Sequence, residues 1–180
     1  MIPRLTPENS LLLMVDVQSR LLPAMHEAQR IERNGAILAR AARLLEIPVA
    51  VTEQNPTRIG GTVESIREAL GEFDAVEKMR FSGFPALKSR LEAEARQAIL
   101  LCGLESHICV LQTGLDLIAA GYTVFGVEDA MSSRQQHNHR IGCARLQMAG
   151  ALPTSTESAV FELMQSADSP HFRTILALIK

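Results

Sequence analysis

The stretch Leu11-Leu12-Leu13-Met14-Val15-Asp16-Val17 decides how the rest of the chain is read. Five apolar residues run without interruption and then meet an aspartate. A short segment that is apolar on both faces reads as a strand inside a parallel sheet, covered by helices above and below. Ala98-Ile99-Leu100-Leu101-Cys102-Gly103-Leu104 has the same character. Other β-rich runs recur at Ile47 to Thr52, Ala75 to Met79, Tyr122 to Val127 and Ala151 to Thr154. Between and after them lie amphipathic stretches predicted as helices over 31–45, 63–70, 84–95, 107–120, 135–148, 157–165 and 171–179. Pro85 falls in a first turn, where its missing N–H costs little, and Gly121 and Gly150 stand just past two helix ends. Strand and helix in alternation imply right-handed βαβ crossovers. The expectation is an α/β fold with a doubly wound, six-stranded parallel sheet carrying helices on both faces. Such sheets bind ligands beyond the carboxyl ends of their strands, where the strand order reverses.

Composition narrows the function classes. The 180 residues fit one domain, 1–180, with 47% hydrophobic and 21% charged residues. No apolar run exceeds five residues, so no membrane-spanning helix of about 20 residues is expected. The opening Met1-Ile2-Pro3-Arg4-Leu5-Thr6-Pro7 lacks the apolar core of a secretory leader. A net charge of −2, no Trp and one Tyr offer neither a basic footprint nor stacking platforms, which excludes nucleic acid as the expected partner. Three cysteines, an odd number with no CxxC pair, fit a reducing cytoplasm better than a disulfide framework.

Chemistry is then sought at the strand ends. Asp16 ends the first strand, either as a cap for the following turn or as a carboxylate held at the mouth of the sheet for proton transfer. Cys109 follows the fourth strand in Gly103-Leu104-Glu105-Ser106-His107-Ile108-Cys109-Val110. If Ser106 is the N-cap, Cys109 is the third helical residue, where the helix N-terminus favours thiolate and free N–H groups can hold an oxyanion. The other reading is a small buried apolar side chain, the usual fate of free cysteine; Cys102, mid-strand, is read that way. Lys78 ends the third strand in Glu77-Lys78-Met79-Arg80-Phe81-Ser82. Alone it is a solvated strand-end charge; beside Asp16 and Cys109 it would orient the carboxylate and favour anions. His139 and Cys143 share a helix face but lack a third ligand, so no metal is expected, and His107 is read as a helix-start residue.

These words, taken together, resemble those of isochorismatase-like cysteine hydrolases. Asp16-Val17-Gln18 is similar to their D-x-Q opening, and Lys78 with Phe81-Ser82-Gly83-Phe84 to their K-x-x-F-S-x-F segment. Gly103 to Val110 resembles their G-[ILV]-x-[ST]-x-x-C-V nucleophile turn, in the branch reading G-I-E-[TS]-H-[IV]-C-V. Val127-Glu128-Asp129-Ala130-Met131-Ser132-Ser133-Arg134 resembles that branch's V-x-D-A-x-S-S-R. The resemblance implies strand order 3-2-1-4-5-6, an Asp16–Lys78–Cys109 triad and a non-proline cis peptide between Leu104 and Glu105. It also implies an oxyanion hole from the N–H groups of Glu105 and Cys109. Pocket walls are expected near Gln18, Gln54, Phe81 and Arg134. Two departures refine it. The Asp-x-His metal site of the nicotinamidases is replaced by Thr52-Glu53-Gln54-Asn55-Pro56, and isochorismatases proper lack the cysteine.

The expected activity is hydrolysis of a small-molecule amide-like C–N bond through a cysteinyl acyl intermediate, with no cofactor and with self-assembly as a homo-oligomer. A thiol redox sensor and a catalytically silent binding or assembly member of the fold are the alternatives. A Gly-rich phosphate loop is absent after the first strand, where Asp16-Val17-Gln18-Ser19-Arg20 stands, so a nucleotide-binding protein is excluded.

Overall fold

The apolar runs become strands because each can be buried on both faces at once. In the computed structural model, which describes residues 2–180, β1 (Ser10–Val15) and β4 (Ala98–Leu104) are buried at every position. Their side chains alternate between two cores, as the period of two requires. Leu12, Met14, Leu100 and Cys102 point into one core, packed under α1 (Ala28–Leu44), α3 (Glu64–Leu70), α7 (Thr156–Met164) and α8 (Phe172–Ile179). Leu11, Leu13, Val15, Ile99 and Leu101 point into the other, under α4 (Phe84–Glu94), α5 (Cys109–Ala119) and α6 (Gln136–Met148). Truncating any one of these leucines to alanine would cost about 2–5 kcal/mol.

With β2 (Val49–Gln54), β3 (Ala75–Lys78), β5 (Thr123–Ser132) and β6 (Leu152–Thr154), the six strands form one sheet in the order β3-β2-β1-β4-β5-β6. Every pairing is parallel. The order reverses between β1 and β4, and the register there sets Val15 beside both Thr52 and Gly103. On the far side of β2, Gln54 is level with Lys78. The register alone therefore brings residues 16, 52, 54, 78 and 104 to one edge of the sheet.

Two local features depart from the sequence reading. A four-residue helix, α2 (Pro56–Ile59), occupies the loop after β2. β5 continues to Ser132, past the expected Val127, because a register shift between Leu101 and Gly103 lets Leu104 pair with Ser132. That shift needs Gly103: at φ +133°, a β-carbon there would stand 2.1 Å from the carbonyl oxygen of Val15.

Candidate active site

Asp16 leaves β1 in the left-handed conformation, φ 55°, and its side chain meets Thr52 of β2 and Lys78 of β3. Its N–H donates to Thr52 O (3.1 Å), and its own carbonyl accepts from Gln18 N–H (2.8 Å). The carboxylate is wholly buried, so each oxygen needs a donor. Thr52 Oγ1 donates to Oδ1 at 2.8 Å and Lys78 Nζ to Oδ2 at 2.7 Å. The ammonium is as enclosed as its partner, with Gln54 Oε1 (2.8 Å), Phe81 O (3.0 Å) and Arg80 O (3.3 Å) completing an oxygen cage. A buried pair with all its remaining valences filled is the arrangement in which such an ion pair tolerates loss of water.

The nucleophile turn runs from Leu104 to Cys109. Its geometry corrects two expectations. All peptide bonds among the described residues are trans, so Leu104–Glu105 is not cis; the chain reverses because Glu105 takes the left-handed conformation at φ 54°. For a non-glycine residue that costs about 1–2 kcal/mol, less than the ~3 kcal/mol of a non-proline cis bond. The cap of α5 is also Ile108 rather than Ser106, and Cys109 is the first helical residue rather than the third. Ser106 cannot cap because its hydroxyl is drawn to Ser133 Oγ (2.7 Å) and His139 Nδ1 (3.0 Å). Within the turn, Ile108 N–H donates to Glu105 O (2.8 Å) and Ser106 N–H to Ser132 O (2.9 Å). The N–H groups of Glu105 and Cys109 meet no acceptor among the described residues.

Cys109 is buried, and burial is the main reason its thiol is pushed up to about 12. The Asp16 carboxylate raises it further, as a nearby anion and as an acceptor for the S–H, while the Lys78 ammonium pulls the other way. Desolvation thus outweighs the helix N-terminus, and the resting group is a thiol rather than the thiolate that position alone favours. Cys102 and Cys143 are likewise free, buried and raised to about 12, again first by burial.

The remaining expected residues have other occupations. Gln18 does not line an opening: its buried amide donates to Gln54 O (3.0 Å) and Gly60 O (2.6 Å) and accepts from Gln54 N–H (2.8 Å), clamping the loop after β2. Gln54 turns its Oε1 to Lys78, and Phe81 is 53% exposed at the mouth. Arg134 reaches over the nucleophile turn with Nε 2.7 Å from Glu105 Oε1. Its N–H is not aligned for a hydrogen bond, so the buried Glu105 carboxylate holds Arg134 by charge alone. His139 and Cys143 do touch, Sγ to Nδ1 at 3.7 Å, but no group of three or more His, Cys, Asp or Glu among the described residues could hold a metal. An open cleft of about 600 Å³, lined by Phe84, Leu91, Arg96 and Tyr122, lies at the opposite end of β4 and β5, away from Asp16, Lys78 and Cys109.

Sequence reasoning missed Thr52 and the Ser106–Ser133 contact. Thr52 had a signal: a hydroxyl ending the apolar run Val49-Ala50-Val51 beside the strand that delivers Asp16. Ser106 and Ser133 had none, being 27 positions apart.

Residues 10–158 match the model of the isochorismatase domain. The chain belongs to the isochorismatase domain family. Among its relatives, the secreted isochorismatase effector Isc1 of Phytophthora sojae (strain P6497) is 39% identical over 98% of this chain and 87% of its own. The MAR1 ribonuclease of Caenorhabditis elegans is 35% identical and superposes with a TM-score of 0.93, covering 98% of this chain and 92% of its own. The Escherichia coli ycaC gene product, described as an octameric hydrolase of unknown specificity, shares the fold at a TM-score of 0.86 and 20% identity, over 99% of this chain and 89% of its own. Isochorismatase-domain architecture thus accounts for the sheet order.

Proposed function

We propose that the protein hydrolyses an amide-like C–N bond of a small molecule through a cysteinyl acyl intermediate, with Asp16, Lys78 and Cys109 as its catalytic residues. One observation carries this reading: a fully buried Lys78–Asp16 pair, 2.7 Å apart, whose carboxylate also faces the Cys109 thiol. Asp16 takes the S–H proton as Sγ attacks the carbonyl carbon. The oxyanion that forms is held by the N–H groups of Glu105 and Cys109, each such donor being worth about 10²–10³-fold. The C–N bond then breaks as Asp16 returns its proton to the leaving nitrogen. Water next gives a proton to Asp16 and adds its oxygen to the thioester; Cys109 leaves and regains its proton from Asp16. Lys78 holds the carboxylate in place throughout and transfers nothing.

A triad sunk this far below the surface, together with a net charge of −2, supports a small substrate over a nucleic acid backbone. The ribonuclease named among the relatives makes RNA a control substrate. Exposed Met79, Phe81, Ile141 and Met148, with the octameric relative, support a homo-oligomer. A reducing compartment such as the cytoplasm suits a cysteine that must remain free. The test is a screen of amides, ureides and carbamates for ammonia or carboxylate release, with Cys109→Ala as the blank. Asp16→Asn, Lys78→Met and Cys109→Ala should each cost at least ~10³-fold, and double variants little more. Undiminished turnover in Cys109→Ala, or cleavage of RNA alone, would refute the reading.

A further inference from the structure

Behind the nucleophile turn lies a run of polar groups that the mechanism does not use. His107 Nδ1 is 2.9 Å from Ser133 Oγ, Ser133 Oγ is 2.7 Å from Ser106 Oγ, and Ser106 Oγ is 3.0 Å from His139 Nδ1. Ser106 and Ser133 are buried, at 2% and 0% exposure. Three links therefore have to be made with two hydroxyl hydrogens. The third hydrogen must come from one imidazole Nδ1, and the other Nδ1 must then accept. Glu105 Oε2 lies 3.5 Å from His107 Nδ1, and that anion favours the hydrogen there.

We infer that His107, Ser133, Ser106 and His139 form one directed hydrogen-bond chain, His107 donating at Nδ1 and His139 accepting at Nδ1, which positions the oxyanion turn against α6. The inference rests on the hydrolytic reading for its consequence, though not for its geometry. Ser106 and His107 are turn residues, Ser133 follows β5, and His139 belongs to α6, so the chain ties three segments together. These are positioning residues: they act through the N–H groups of Glu105 and Cys109. Acid should open the chain, because protonated His139 brings a fourth hydrogen to three links and strands a buried hydroxyl. Around His139 stand Arg30 of α1, Glu128 of β5, His26 and Glu27 before α1, and Cys143 on its own helix. Burial, then Arg30, holds this imidazole below its ordinary value, so the neutral, accepting form persists through neutral pH and is lost on acidification.

The ring ¹⁵N shifts of His107 and His139, assigned with His107→Gln and His139→Gln, test the chain at pH ~7.5. The expected result is an Nδ1–H tautomer at His107 and an Nε2–H tautomer at His139. Ser133→Ala should release His107 to a tautomer mixture, and Ser133→Thr should restore it. With a substrate in hand, Ser133→Ala should lower kcat at least ~10-fold with little change in KM, and the alkylation rate of Cys109 should hold. The same tautomer on both rings, or tautomers unmoved by Ser133→Ala, would overturn the chain. Tautomers as expected with kcat untouched would overturn the positioning role. A wild-type protein that hydrolyses nothing would sink the functional reading, while the NMR result still decides the chain.

Discussion

Gly142→Ala should injure catalysis far more than stability, and the structure gives the size of both effects. Gly142 of α6 lies against the nucleophile turn so closely that a β-carbon would stand 2.5 Å from Ser106 O, 2.7 Å from Ser106 C and 2.8 Å from His107 N. All three are backbone atoms, so no side chain can rotate out of the way. Ordinary contact requires the turn and helix to separate by about 0.9 Å. Overpacking of this kind costs about 1–3 kcal/mol, and alanine's better helix propensity returns about 1 kcal/mol, leaving a net loss of about 0–2 kcal/mol. The same displacement moves the oxyanion donors by nearly 1 Å, which costs on the order of 10²-fold in kcat. Steady-state kinetics on a substrate from the screen, alongside thermal unfolding, separates the two. Gly150→Ala is the control: its φ of +111° strains any side chain, about 1–2 kcal/mol, but nothing lies within 4 Å and the turn is not touched. A Gly142→Ala enzyme with kcat within about threefold of wild type would refute the claim that α6 fixes the turn.

Further outcomes follow from the charges and thiols. Lys78→Met strands the Asp16 carboxylate in the interior and should cost about 3–5 kcal/mol in urea unfolding, with Asp16→Asn added on top recovering part of it; a loss under about 1 kcal/mol would contradict the buried pair. Because the Cys109 thiol sits near 12, its alkylation by a small haloacetamide should climb about tenfold per pH unit from 7 to 10 without a plateau. Asp16→Asn removes an anion that raises the thiol and should speed that reaction; mass spectrometry showing Cys102 or Cys143 as the main adduct would defeat the nucleophile assignment. Dialysis against chelator should leave hydrolysis unchanged, since the cation beside Asp16 is Lys78; activity lost and then recovered with zinc or manganese would overturn this.

The sequence was most legible where hydrophobic burial alone dictates structure. Leu11 to Val15 and Ala98 to Leu104 must be central strands, and polar residues following them must meet at the switch point, so Asp16 and Cys109 stand out from the sequence alone. Lys78 stood out less, because its meaning depends on a partner 62 residues away. Turn conformation was not legible: the same letters Leu104-Glu105 serve a cis bond or a left-handed residue, and only tertiary packing chooses. The resting state of the Cys109 thiol is open in the sequence for a related reason, since a helix N-terminus can be read from it and depth of burial cannot. Gln18 reads as a wall residue because a polar side chain after a strand end looks available; the loop it clamps has no pattern of its own.

Gly103 has a consequence for how such a protein can change. The two strands that deliver the carboxylate and the thiol pass so closely at this point that no side chain fits between them, and Val15 O would be struck at 2.1 Å. Their separation is consequently set by main chain against main chain, independent of which residues decorate the surrounding loops. New substrates can then be tried by rewriting the segments around Pro56, Phe81 and Arg134 without disturbing the spacing on which the proposed hydrolysis depends. Reactivity and selectivity are inherited from different parts of the chain, and a library that varies the second while holding Gly103 should keep the first.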